Sequence, residues 1–166
     1  MTLSNTRSVA LLSALAAGFA LALALASEKF GGLVPCALCL LERWPYRVAI
    51  VLALMALVVP HRLARLLLML VVLSMLAAMA LAVVHVGVEQ RYWPSPLPEC
   101  AAPRFTGGSI ADRLAHMPAK PGKPCDDPTY LIPGLPVSMA AMNFLYALAF
   151  AGVLGGLLWR DRRNTL

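Results

Sequence analysis

The chain has 166 residues, 60% of them hydrophobic and only 13% charged, and carries a net charge of +6. That is too little polar surface for an ordinary soluble domain, because the apolar residues gather into long runs. The basic residues stand at the ends of these runs and in the segments between them. They form no groove-like patch, which fits membrane flanks and excludes a nucleic-acid partner.

Met1 to Ser8 is a short polar lead, followed by the Ala- and Leu-rich run Val9 to Ala26. Its end, Ala24-Leu25-Ala26, is like a signal-peptidase site. The run, however, exceeds the roughly 7–15 apolar residues of a cleaved signal, so an uncleaved first helix is expected. Leu66 to Val88 and Ser138 to Trp159 also reach the roughly 17–25 residues that cross a bilayer as helix. A fourth run, Val48 to Val59, falls short of a ~30 Å hydrocarbon core at about 1.5 Å per residue. Its helix must therefore begin earlier and include Arg47 and Arg43. No run alternates with the strand period, and lipid admits only helices or closed barrels. The expected fold is an all-α membrane protein: a four-transmembrane-helix bundle with helices about 9–26, 40–60, 64–88 and 138–159. Residues 1–166 form a single integral-membrane domain, with a long extramembrane loop, about 89–137, between helices 3 and 4.

A Gly-containing loop, Ser27 to Val34, leads into Val34-Pro35-Cys36-Ala37-Leu38-Cys39-Leu40-Leu41-Glu42-Arg43. Two thiols at C-x-x-C spacing can close a small disulfide ring. Arg43, one helical turn past Cys39, is placed to favour its thiolate, the reactive form of sulfur. An arginine at the edge of an apolar slab is a functional candidate, its ordinary alternative being a pair with Glu42 or a lipid phosphate. A structural zinc site needs four ligands, and no second C-x-x-C supplies them. Pro45, in Trp44-Pro45-Tyr46, is expected to kink the second helix or restart it, with Trp44 and Tyr46 at headgroup level and Arg47 snorkelling outward.

After the tight basic turn Pro60 to Arg65, the third helix meets no strongly polar residue before His85 near its outer end. That histidine is either a solvated cap or a donor to a carbonyl ligand between helices. From Arg91 to Pro136 the composition changes, with ten of the chain's thirteen prolines and the second cysteine pair, Cys100 and Cys125. Loops of this length without a fold of their own are usually functional or disordered. Ser109 to Met117 can form a short helix on the membrane surface, with Ser109 as N-cap. The last helix carries Asn143 and then Gly152-Val153-Leu154-Gly155-Gly156, a small-residue pattern of the kind that lets helices approach. Arg160 to Arg163 is a basic anchor.

All four cysteines fall in the first and third inter-helix segments, which a four-helix bundle places on one side. They read as two disulfides in an oxidising compartment, with three possible pairings. Arg7, Arg62, Arg65, Arg160, Arg162 and Arg163 crowd three short segments, which argues for both termini in the cytoplasm.

With these residues placed, the chain resembles the DsbB family of bacterial inner-membrane quinone reductases over nearly its whole length. The resemblance rests on Cys36-Ala37-Leu38-Cys39-Leu40-Leu41-Glu42-Arg43, on His85 with Tyr92-Trp93-Pro94-Ser95-Pro96 leading into Cys100, and on Cys125 before Gly134-Leu135 and Met139. It departs at Leu40-Leu41, where members often carry an aromatic second residue. The resemblance implies that Cys100 and Cys125 form a loop disulfide that oxidises a reduced DsbA-like periplasmic partner, with Cys100 receiving the attack. Cys36 and Cys39 would re-oxidise that pair, and Cys39 would face ubiquinone or menaquinone, with Arg43 and His85 as the cofactor-binding residues. The implied setting is the bacterial inner membrane, with the cysteines on the periplasmic side and membrane lipid around the helices. An outward relay of reductant would need an inner-side cysteine, and none exists. A metal-binding or transport protein with Cys36, Cys39, Cys100 and Cys125 as four thiolate ligands is the alternative from another class.

Overall fold

The computed structural model describes residues 3–100, 109–111, 123–132 and 134–163. Among them the regular structure is helical: α1 (Leu3–Lys29), α2 (Ala37–Val58), α3 (His61–Glu89), a 3-10 turn at Pro98–Cys100, and α4 (Met139–Arg163). Of the expected surface helix, Ser109–Ala111 are described, with Ile110 and Ala111 helical and Ile110 exposed. Residues 112–117 lie outside the described residues.

Three helices are long and apolar enough to cross a membrane: α1, α3 and α4. α2 is 22 residues long, but its first turns carry Glu42, Arg43 and Arg47, charges that weigh against a span on composition alone. It starts at Ala37, three residues earlier than the sequence reading placed it, because Cys36 serves as its N-cap. The Sγ of Cys36 accepts the backbone N–H of Cys39 at 3.2 Å, satisfying one of the helix's orphan donors. Pro45 lies inside α2 and does not restart it. Next to it, Ser74 of α3 donates its hydroxyl to the Pro45 carbonyl at 2.8 Å, tying the two helices where the ladder loses a donor.

α2 packs on α1 and α3, and α3 packs on α4. The bundle is least closed between α1 and α4, where Tyr146 donates its hydroxyl to the Ala16 carbonyl at 2.8 Å. Alanines make up much of the helix contact, with Ala10, Ala14 and Ala17 on α1, Ala49, Ala53 and Ala56 on α2, Ala78 and Ala82 on α3, and Ala147 and Ala151 on α4, beside larger side chains such as Leu68, Val71 and Met75 of α3. Spacings of three and four keep these small side chains on one face, so backbones approach closely, the main source of helix association in lipid. The glycines of α4 do not play this part. Gly152 and Gly156 face open space, and Gly155 meets only Val72. Large side chains such as Leu12, Phe19, Leu73 and Val153 point outward, the inside-out pattern of a helix bundle in hydrocarbon.

Candidate redox site

The four cysteines converge where α2 begins and α3 ends. Cys100 and Cys125 are joined as a disulfide, reinforced by the Cys125 backbone N–H donating to the Cys100 carbonyl at 3.3 Å. Cys36 and Cys39 are thiols whose Sγ atoms lie 3.0 Å apart. Of the two disulfides expected, one is therefore closed and the other is an open pair at contact distance. The loop disulfide is not on the surface, as a proline-rich loop suggests: both sulfurs are buried and pack with Cys36, Leu38, Val88 and Leu97. Sulfur is apolar enough to complete such a cluster.

The two thiols of the open pair face different surroundings. Cys36 is buried in the cluster of the loop disulfide, whereas Cys39 is partly accessible and lines a cavity of about 280 Å³ between α1, α2 and α4. The walls of this cavity are mostly apolar, including Phe19, Leu23, Met139 and Tyr146, and Glu42, Arg43, Tyr46 and Asn143 supply its polar part. The Cys36 thiol is held below its ordinary pKa, first by the side-chain hydrogen bond from Cys39, with the Cys39 backbone N–H also contributing, against burial and the charge of Glu42. Its position at the N-terminus of α2 acts in the same sense. The residue whose thiolate is favoured at the helix mouth is thus Cys36, where the sequence reading pointed to Cys39.

Arg43 is buried and lines the cavity with Cys39, and its Nη1 donates to Glu28 Oε2 of α1 at 2.8 Å. Glu42, the partner suggested by adjacency, lines the same cavity but gives its two carboxylate oxygens to His85 and Asn143. His85 lies behind the thiols and not in the cavity wall. Its Nε2 is 3.4 Å from Cys36 Sγ, and its Nδ1 is 2.8 Å from Glu42 Oε1. The second oxygen of Glu42 accepts from Asn143 Nδ2 at 2.8 Å, and Asn143 Oδ1 accepts the Tyr46 hydroxyl. Glu89, one turn past His85, has a carboxylate oxygen 4.0 Å from its Nε2 and accepts the Ser138 hydroxyl. Glu28, Glu42, Tyr46, Glu89, Ser138 and Asn143 are all absent from the sequence-based site. Polar and charged side chains inside or beside apolar helices are the signal that marks them, since each is costly there without a partner.

A soft metal could draw on Cys36, Cys39 and His85, whose ligand atoms lie within 4.8 Å of one another. The four-cysteine set is not assembled, because Cys100 and Cys125 bond to each other. A lipid-soluble quinone fits the cavity chemically: its walls are hydrocarbon and aromatic, and a thiol and a guanidinium sit together in its lining.

The family model described as "Disulfide bond formation protein DsbB" matches residues 6–157. No curated protein and no solved structure matches. With nearly the whole chain matched, it belongs to the DsbB family: an integral membrane protein of disulfide bond formation.

Proposed function

We propose, from this membership of the DsbB family, that the chain is a protein-dithiol:quinone oxidoreductase. It re-oxidises a DsbA-like periplasmic thioredoxin-fold protein and passes the two electrons to ubiquinone or menaquinone. The observation that carries this reading is the order of the sulfurs. The Cys100–Cys125 disulfide packs against Cys36, Cys36 touches Cys39, and Cys39 opens on an apolar cavity beside Arg43.

Chemically, a partner thiolate attacks Cys100 once the loop lifts from its cluster, and the electrons then pass by exchange from the loop pair to the Cys36–Cys39 disulfide. The bound quinone supplies a two-electron, two-proton acceptor. Arg43 offers charge-assisted donors to an oxygen that gains negative charge, in a low-dielectric setting where such bonds are strongest. α2 completes four spans, its charged first turns lying at the outer boundary, with both termini cytoplasmic and the cysteines periplasmic in the bacterial inner membrane.

Purified protein mixed anaerobically with a reduced DsbA-type protein and a short-chain quinone is expected to yield quinol. Cys36→Ser or Cys39→Ser abolishes quinone reduction by any donor. Cys100→Ser or Cys125→Ser abolishes oxidation of the protein partner and spares quinone reduction by a small dithiol. A Cys39→Ser protein reducing quinone at the parent rate would refute the assignment.

A further inference from the structure

Converting the Cys36–Cys39 dithiol to a disulfide removes two electrons and two protons, and a quinone becoming a quinol takes up both. The sulfur order gives the electrons a route. Cys39 can release its proton into the cavity that it lines, but Cys36 is buried outside that wall and needs another path. We infer that His85 and Glu42 form a proton relay that carries the Cys36 proton from the buried sulfur to the cavity, separate from the electron route through Cys39.

The geometry is continuous. Cys36 Sγ is 3.4 Å from His85 Nε2, His85 Nδ1 is 2.8 Å from Glu42 Oε1, and Glu42 itself lines the cavity. An imidazole that accepts a proton at Nε2 releases another from Nδ1, so the ring moves a proton across its width without rotating. The Glu42 carboxylate takes that proton at Oε1. Asn143 Nδ2, held by the Tyr46 hydroxyl on its other side, donates to Oε2 and fixes the carboxylate plane. This is the thiol–imidazole–carboxylate arrangement that activates nucleophilic cysteines elsewhere, here with the carboxylate facing an electron-acceptor cavity. The proton balance closes: one proton leaves Cys39 directly, one leaves Cys36 through His85 and Glu42, and both electrons pass as the S–S bond forms. The other charged groups facing the relay are Cys39 from α2, Glu89 from α3, the Arg43–Glu28 pair from α2 and α1, and Lys123 from the loop, which acts on Glu89.

The inference rests on the proposed function, so the test is built to separate the two. First, quinone-free reduced protein is alkylated across a pH series and Cys36 is followed by peptide mass spectrometry. Glu42→Gln keeps size and packing but removes the carboxylate that holds charge on His85. The direct effect of the Glu42 charge is to raise the Cys36 pKa, so a rise of the alkylation midpoint by about one pH unit in Glu42→Gln can come only through His85, and it should vanish in the His85→Asn background. Second, quinone reduction by a small dithiol should fall about 10²-fold in Glu42→Gln at unchanged KM. The activity of His85→Gly should return in part with added imidazole, whereas a structural role would not respond to imidazole. If the parent yields no quinol, the functional reading fails. If the parent is active and Glu42→Gln keeps its rate and the parent's Cys36 midpoint, the relay is overturned.

Discussion

Arg43 shows how far a single residue's neighbours decide its chemistry. Its place in the cavity wall beside Cys39 follows from the four-residue spacing, but its ion partner is Glu28 of α1, fifteen residues away. That pair fixes the guanidinium in a partly buried position, so its charge and fork geometry, not its bulk, are what the cavity receives. Arg43→Met is expected to raise the KM for quinone about tenfold or more, the worth of a hydrogen bond to a charged group, whereas Arg43→Lys recovers part of the loss. Steady-state quinone titration checks this, and kinetics equal to the parent's would reduce Arg43 to a helix anchor. Arg47 serves as the contrast, stacked at 5.2 Å over Trp44 on the exposed face. Arg47→Met should leave the KM unchanged and lower the yield of inserted protein.

At the scale of elements, the end of α3 is where the loop is aimed at the site. Tyr92 N–H donates to the Gly87 carbonyl, and Trp93 folds back so that its indole N–H donates to the Val84 carbonyl at 3.1 Å. The indole ring lies so close to Gly87 that a Cβ there would come within 1.9 Å of it. Gly87 therefore supplies close approach, and the turn it permits sends the chain toward the 3-10 turn that carries Cys100. Gly87→Ala must push the ring out, at an overpacking cost of about 1–3 kcal/mol. The expected result is a lower Tm, a red-shifted tryptophan emission and slower oxidation of the protein partner. Quinone reduction by a small dithiol should be nearly unaffected, because the cavity lies on the other side of α2. Equal slowing of both half-reactions would show that the turn does not serve the loop pair in particular.

For the whole molecule, the chemistry is gathered at one end of an alanine-packed bundle. The opposite end is tied by Arg65, whose guanidinium lies 3.6 Å from Asp161 and donates to the Leu158 carbonyl. A chain of four spans places Gly107 and the terminus after Arg163 on opposite sides of the membrane. A reporter active only outside the cytoplasm should work when inserted at Gly107 and fail after Arg163. Activity at both positions would remove α4 from the list of spans, and activity only at the second would either invert the orientation or remove α2 from that list.

The sequence by itself determined the class of this protein: apolar runs of membrane length, a C-x-x-C before an arginine and a second cysteine pair in a proline-rich loop are local patterns set by hydropathy and spacing. Its resemblance to the DsbB family also singled out the four cysteines that the proposed function uses. Only the tertiary structure decided which thiol faces the cavity, that the loop disulfide is buried against Cys36, and that alanine, not glycine, makes up much of the helix contact. The polar network is the clearest case. Glu42, His85 and Asn143 are separated by 43 and 101 residues from one partner to the next along their two hydrogen bonds, and no periodicity within one helix encodes such a meeting. It arises because three packed helices present their few polar side chains at the same depth, where each must find a partner or bear the cost of burial alone.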